Sequence, residues 1–247
     1  MAETRRIVDY CDDLLNTEAI KDLSQNGLQV QGLSEVKTAC FAVDASLESI
    51  TQSPGQILFV HHGLFWRKPL LLTGSHFQRI KACIRKDLAL YASHLPLDAH
   101  QVLGNNAQLA RLLSTTSVEP FGEYHGMQIG MKAKLRPLPL KALIDMLNRK
   151  LHTRCVVAAY GKQTIRSVGI VSGDGCFALE EAKDLGLDAL ITGETKHQYM
   201  PLAKELDMNV LFAGHYATET LGLKALAKHL EKRFNITTRF VDLPTGL

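Results

Sequence analysis

The phrase Ser93-His94-Leu95-Pro96-Leu97-Asp98 is answered late in the chain by Gly214-His215-Tyr216-Ala217-Thr218-Glu219, each a histidine followed four residues on by a carboxylate. Each phrase follows an apolar run that reads as a buried strand, Leu88–Ala92 in one case and Asn209–Ala213 in the other. The matches extend outward in the same order. Val36–Asp44 resembles Ile165–Gly173, Gln56–His62 lies against Asp188–Glu194, and the helical pattern Asn105–Leu113 answers Thr220–Lys228. An amphipathic helix stands upstream in each copy, with stripes Ile7, Val8, Cys11, Leu14, Leu15 and Leu140, Leu143, Ile144, Leu147, Leu151. Each leads to a short strand, Asn26–Val30 or Arg154–Ala158. This rhythm predicts an α/β fold of two similar domains related by internal duplication. The seam falls near Phe121–Gly126, so that residues 1–123 make the N-terminal half and 124–247 the C-terminal half.

The 247 residues, 46% of them apolar, suffice for two small cores. A net charge of +3 is a weak bias, and no basic stripe with interleaved aromatics marks a nucleic-acid surface. The five cysteines (11, 40, 83, 155, 176) lie far apart without C-x-x-C spacing, so they read as free thiols of a reducing compartment. No secretory signal opens the chain and no apolar run reaches the roughly 18 residues of a membrane span. The expectation is a cytoplasmic protein with no membrane partner.

Candidate ligands gather at the predicted strand ends, where open α/β sheets bind their ligands. His61 and His62 close the run Leu58-Phe59-Val60, and Gly63 permits a sharp turn after them. Pro96 predicts an extended turn over 94–98 rather than a helix, with Asn105 or Asn106 capping the next helix. Thr218 predicts the N-cap of the final helix, which places Glu219 in its first turn. One at a time these residues have plain structural readings: a hydrogen-bonded strand-end histidine, a capping aspartate, a glutamate facing a helix dipole. Together His61, His62, Asp98, His215 and Glu219 are an imidazole and carboxylate set suited to zinc, manganese or iron. His76, His100, His125, His152 and His229 have no such context and read as surface or packing residues.

At this level of detail the chain resembles a known family. Asn26-Gly-Leu-Gln-Val30, His61-His-Gly-Leu-Phe-Trp66, His94-Leu-Pro-Leu-Asp-Ala99, Gly104-Asn-Asn106, Ile191-Thr-Gly-Glu194 and Gly214-His-Tyr-Ala-Thr-Glu219 are similar to the GTP cyclohydrolase 1 type 2 family, also called Nif-three-like. The likeness runs from near residue 26 to near residue 240 and fits the short bacterial form, without the domain that longer members insert between the halves. It implies a dinuclear metal centre between the two halves, two divalent ions per chain, with ligands falling on His61, His62, Asp98, His215 and Glu219. It also implies a homohexamer, a trimer of dimers. Two positions depart from the family pattern: Gly63 stands where proline is frequent, and Tyr216 where a second histidine is frequent. Neither removes a ligand, while Tyr216 changes a pocket wall.

Two ions sharing a bridging carboxylate can generate hydroxide near neutral pH and clamp a developing oxyanion. Glu219 is the expected bridge. His94 reads as a weak ligand or an acid/base, and Glu194 as a group that orients a ligand imidazole or moves a proton, against a plain hydrogen bond in a glycine turn. Arg67, Lys68, Lys196 and His197 flank the candidate ligands, so a small anionic or nucleotide-like substrate is expected, although no P-loop or Gly-x-Gly-x-x-Gly is present. The expected function is a dinuclear metal-dependent hydrolase, with GTP cyclohydrolase activity implied by the resemblance. The alternative is a non-catalytic metal-binding or regulatory assembly protein.

Overall fold

A computed structural model describes residues 1–68 and 70–247. In chain order the elements begin with β1 (Ala2–Glu3), α1 (Thr4–Leu15), β2 (Gly27–Val30), β3 (Glu35–Val36), β4 (Thr38–Asp44), α2 (Leu47–Gln52), β5 (Ile57–His62), α3 (Gly74–Arg85) and β6 (Ala89–Ala92). There follow α4 (Leu95–Ala99), α5 (Asn105–Leu112), β7 (Thr116–Tyr124), β8 (Met127–Pro139), α6 (Leu140–Leu151), β9 (Val156–Ala159) and β10 (Thr164–Val171). The chain ends with α7 (Leu179–Asp184), β11 (Ala189–Thr192), α8 (Tyr199–Glu205), β12 (Asn209–Phe212), α9 (His215–Phe234) and β13 (Thr237–Phe240).

These elements form two α/β units, as the repeat predicts. The first holds the sheet β13-β4-β5-β6-β2, the second the sheet β7-β8-β10-β11-β12-β9. Within each, three strands run parallel in matching order, β4-β5-β6 and β10-β11-β12, and an antiparallel edge strand closes the set, β2 or β9. The parallel strands are buried along nearly their whole length, which is why they read as continuous apolar runs without alternation. Burial of Cys40, Ile50, Leu58, Val60, Cys83 and Leu90 makes the first core. The second is built on Leu109, Leu143, Leu147, Val168, Ile191 and Leu211. All five cysteines are free thiols, four of them buried.

The compact units do not follow the seam at 123/124. The first comprises Met1–Leu97 with Leu223–Leu243, the second Asp98–Gly222 with Pro244–Leu247. Two physical reasons stand behind this. Position 123/124 lies inside a single hairpin, because β7 pairs with β8 as far as Tyr124 and Met127. His125 and Gly126 take positive φ of 51° and 82° at its tip, the conformation that a two-residue hairpin turn requires. The equivalent C-terminal stretches of the two copies are also exchanged. Leu109, Ala110 and Leu113 bury into the second core, while β13 pairs in parallel with β4 of the first sheet. Hydrophobic contact and strand pairing, which do not depend on chain order, override the order of the copies.

Candidate metal centre

In the first unit, β5 delivers His61 and His62 at its C-terminal end. His61 is fully buried, and its Nδ1 donates to the Ser93 carbonyl at 2.9 Å. His62 stands across the ladder from Asp44, the last residue of β4, and its Nδ1 donates to Asp44 Oδ1 at 2.8 Å. His94 follows β6, and its Nδ1 donates to the Asp22 carboxylate at 3.0 and 3.2 Å. Carbonyl and carboxylate oxygens only accept, so each ring carries its proton on Nδ1 and, when neutral, its lone pair on Nε2. His61, His62 and His94 each offer one ligand atom within 4.8 Å of the others. A regular strand would point His61 and His62 to opposite faces. The end of β5 at His62 lets their ring centroids approach to 4.9 Å.

In the second unit, His215 opens α9 and Glu219 lies one turn on, with His215 Nε2 3.1 Å from Glu219 Oε1. The opposite nitrogen, Nδ1, donates to Glu194 Oε2 at 2.8 Å. The Glu219 hydrogen bond, against the opposing effect of burial and with the charges of both glutamates, raises the His215 pKa to about 9. Asp98 is nearly buried, and its Oδ1 accepts from Asn105 Nδ2 at 2.8 Å and Ser172 Oγ at 2.9 Å. Two glycines bring the backbone close against the pair. Gly173, at φ +61°, lies so close that a Cβ there would be 2.3 Å from Glu219 Oε1 and 3.2 Å from His215 Nε2. A Cβ on Gly193 would be 2.8 Å from His215 Cα.

Three local expectations need correction. Residues Leu95–Ala99 form a short helix despite Pro96, because proline in a first turn removes an N–H that has no helical acceptor there. Neither Asn105 nor Asn106 caps α5, whose N-cap is Gly104. The Asn105 side chain instead ties Asp98 to the Gly222 N–H at 2.8 Å, and Asn106 ties Ile129 O to Ser172 N. Thr218 is not an N-cap, since α9 already begins at His215. Its hydroxyl returns to Gly214 O and accepts from Gly173 N. Lys196 pairs with Asp174, whereas Arg67 and Lys68 are exposed.

Two further histidines have packing roles: His76 is buried edge-on to Phe65, and His229 accepts from or donates to Tyr10 OH at 2.6 Å while stacking on its ring. Missing from the sequence reading were Asp22, Asp44, Ser93 and Ser172, the groups that hold the candidate ligands. Asp44 had a legible signal, a carboxylate closing an apolar strand beside the one that ends in two histidines. Asp22 had none, because it lies outside any regular element and reaches His94 only through the fold.

The groups fit a metal of the zinc, manganese or iron kind. Three imidazoles converge in the first unit, and an imidazole and a carboxylate in the second; each imidazole is oriented through Nδ1 by a fixed acceptor, the usual support of a ligating histidine. No helix among the described residues is long and apolar enough to cross a membrane.

Comparison with known proteins accords with this arrangement. A Deinococcus radiodurans protein named GTP cyclohydrolase 1 type 2 homolog is 43% identical, covering 98% of this chain and 93% of its own length. A Pyrococcus horikoshii protein of the same name is 45% identical with 98% of each chain covered. Among solved structures, the protein ybgI, described as of unknown function, superposes with a TM-score of 0.93 at 32% identity, and a Thermus thermophilus protein with 0.90 at 36%. Both alignments cover 100% of each chain. The profile of one family, Duf34/NIF3 (NGG1p interacting factor 3), spans residues 2–245. With the two sheets, the strand-end histidines and these full-length likenesses in agreement, the chain belongs to the Duf34/NIF3 family.

Proposed function

We propose that this chain is a dinuclear metal-dependent hydrolase, whose ions would be held by His61, His62, Asp98, His215 and Glu219. The observation that carries the reading is the common orientation of the imidazoles: His61, His62 and His215 are each held at Nδ1, by Ser93 O, Asp44 and Glu194. Two iron, manganese or zinc ions bound there would supply Lewis acidity for activating water near neutral pH and steadying a developing oxyanion.

The chain's own groups do the rest. Glu194 takes the Nδ1 proton of His215 in a hydrogen bond, and its side chain is 40% exposed, so it can pass protons to solvent. His94 stands 4.9 Å from His61, ring to ring, beside the proposed ligands of the first unit. Trp66 lies 5.1 Å edge-on to His94 and 6.3 Å from His62, offering an indole face to a heterocycle. Arg67 and Lys68, directly after it, suit phosphate. Those features, with the name carried by the relatives, favour a nucleotide-like substrate and a GTP cyclohydrolase type of ring hydrolysis. A cytoplasmic homohexamer is the proposed setting.

The test is a metal-resolved screen. Protein loaded separately with manganese, iron or zinc is assayed on GTP, phosphoesters and cyclic amides, with metal content measured alongside. Hydrolysis lost in Glu219→Ala is the expected result. Less than half a metal equivalent per wild-type chain, unchanged in His62→Ala, would overturn the reading. Full metal content with no hydrolysis in any arm would identify a non-catalytic metal-binding protein.

A further inference from the structure

We propose that Asp22 and Asn26 form a clamp that makes His94 a metal-facing imidazole, completing a three-histidine face with His61 and His62 in the first unit. The inference rests on the metal-centre reading and adds to it both a ligand and the residues that position it. Asp22 lies in the irregular stretch between α1 and β2, and its side chain is only 2% exposed. A carboxylate in such a place is costly unless every lone pair is used. Here the donors are His94 Nδ1, Ser24 N at 3.1 Å, Leu95 N at 3.0 Å and Asn26 Nδ2 at 2.9 Å. Four N–H donors converge on its two oxygens, so the group serves as an acceptor on both.

Asn26 acts on the same histidine from the other side. Its Oδ1 accepts the His94 backbone N–H at 2.8 Å while its Nδ2 binds Asp22, so main chain and ring of His94 are held by one connected pair. A purely structural anchor would need only the backbone contacts. The ring contact to Asp22 fixes something further, the Nδ1–H tautomer and the direction of Nε2, which is the arrangement that supports a ligating imidazole. In that orientation the ligand atoms of His94, His61 and His62 lie within 4.8 Å of one another.

Cobalt(II) is the probe, because its visible absorption reports the number and kind of ligands. Apo protein is titrated with Co²⁺ in the wild type, His62→Ala, His94→Ala, Asp22→Asn, Asn26→Ala and the double variant Asp22→Asn/His94→Ala, with a thermal melt of each. The expected result is a roughly 10- to 100-fold weakening of Co²⁺ binding in Asp22→Asn, with a changed spectrum. His94→Ala should show the same change and the double variant no further loss, since the two residues act as one unit. Added imidazole should restore the spectrum of His94→Ala. Asn26→Ala, which leaves the Asp22 carboxylate in place, should give a smaller weakening and serves if Asp22→Asn does not fold. The clamp is overturned if His94→Ala binds Co²⁺ with wild-type affinity and spectrum, or if Asp22→Asn and Asn26→Ala lower only the melting temperature. Failure of the metal-centre reading looks different: the wild type would then bind no Co²⁺, or His62→Ala would bind it undiminished.

Discussion

The two sheets share a strand order but differ in what their matching positions carry. At the start of the central strands, Gln56 and Asp188 make the same hook. Gln56 Oε1 accepts from the N–H of Lys37 and Thr38, both at 2.9 Å, and Asp188 Oδ2 accepts from those of Arg166 and Ser167 at 2.8 and 3.1 Å. One copy uses a neutral amide and the other a carboxylate, to which Lys162 adds an ion pair at 2.7 Å. At the other end of the strands the difference becomes chemical. The first sheet ends in Asp44, His61-His62 and His94, whereas the second ends in Gly173, Gly193-Glu194 and His215. Duplication kept the backbone hooks that set the sheets, while the strand ends diverged into three imidazoles with one carboxylate in the first sheet and glycines with one carboxylate and one imidazole in the second.

Ladder register sharpens the contrast. Ser93 N donates to Val60 O, and the bond in the same place in the second sheet is from Ala213 N to Thr192 O. Ser93 thus corresponds to Ala213, and His94 to Gly214 rather than to His215. The repeated phrases align by letter but are offset by one residue in space. Gly214, at φ +93°, absorbs that extra residue. His215 consequently starts a 20-residue helix with Glu219 one turn on, while His94 stands before a five-residue one.

The largest effect that could break the comparison is at the matched pair Gly173 and Asp44. Gly173→Ala should cost about 1–2 kcal/mol from the left-handed backbone alone. Crowding of Glu219 and His215 adds to this, so metal content should fall together with the melting temperature. Asp44→Ala removes only the acceptor on His62 Nδ1, and should weaken metal binding roughly 10-fold with little change in melting. Equal outcomes at the two positions would refute the division of roles.

A smaller effect separates the two hooks by pH. Burial works to raise the Asp188 pKa, but Lys162 and the Arg166 and Ser167 N–H groups outweigh it and lower the pKa. A carboxyl lowered in the folded state stabilises above its unfolded pKa, and that stability is lost as pH falls through the folded value. Asp188→Asn should therefore cost about 1 kcal/mol at pH 7 and progressively less in acid. The variant Gln56→Ala should show a loss that does not depend on pH in that window. Denaturant melts between pH 7 and 3 make the comparison. The smallest effect is expected at Lys196: its partner Asp174 is 42% exposed, so Lys196→Ala should change stability by less than about 0.5 kcal/mol.

Much of the molecule was legible before any coordinate. The buried strands announced themselves as unbroken apolar runs, and the histidines and carboxylates at their ends marked the candidate centre. What escaped has a common cause. Asp22, Asn105 and Ser172 act through contacts to residues 72, 117 and 74 positions away, to His94, Gly222 and Asp98. The cap predicted at Thr218 failed because a hydroxyl in the first turn found a helix carbonyl and the Gly173 N–H instead.

Periodicity and strand-end chemistry are local properties, carried by a few consecutive side chains, and they are sufficient to specify two α/β copies and a set of metal-ligating residue types. Which stretch packs into which core, the one-residue offset between the phrases, and the acceptor that orients each imidazole depend on groups brought together from distant parts of the chain. Those features follow from burial and hydrogen-bond satisfaction in three dimensions, where sequence separation no longer counts.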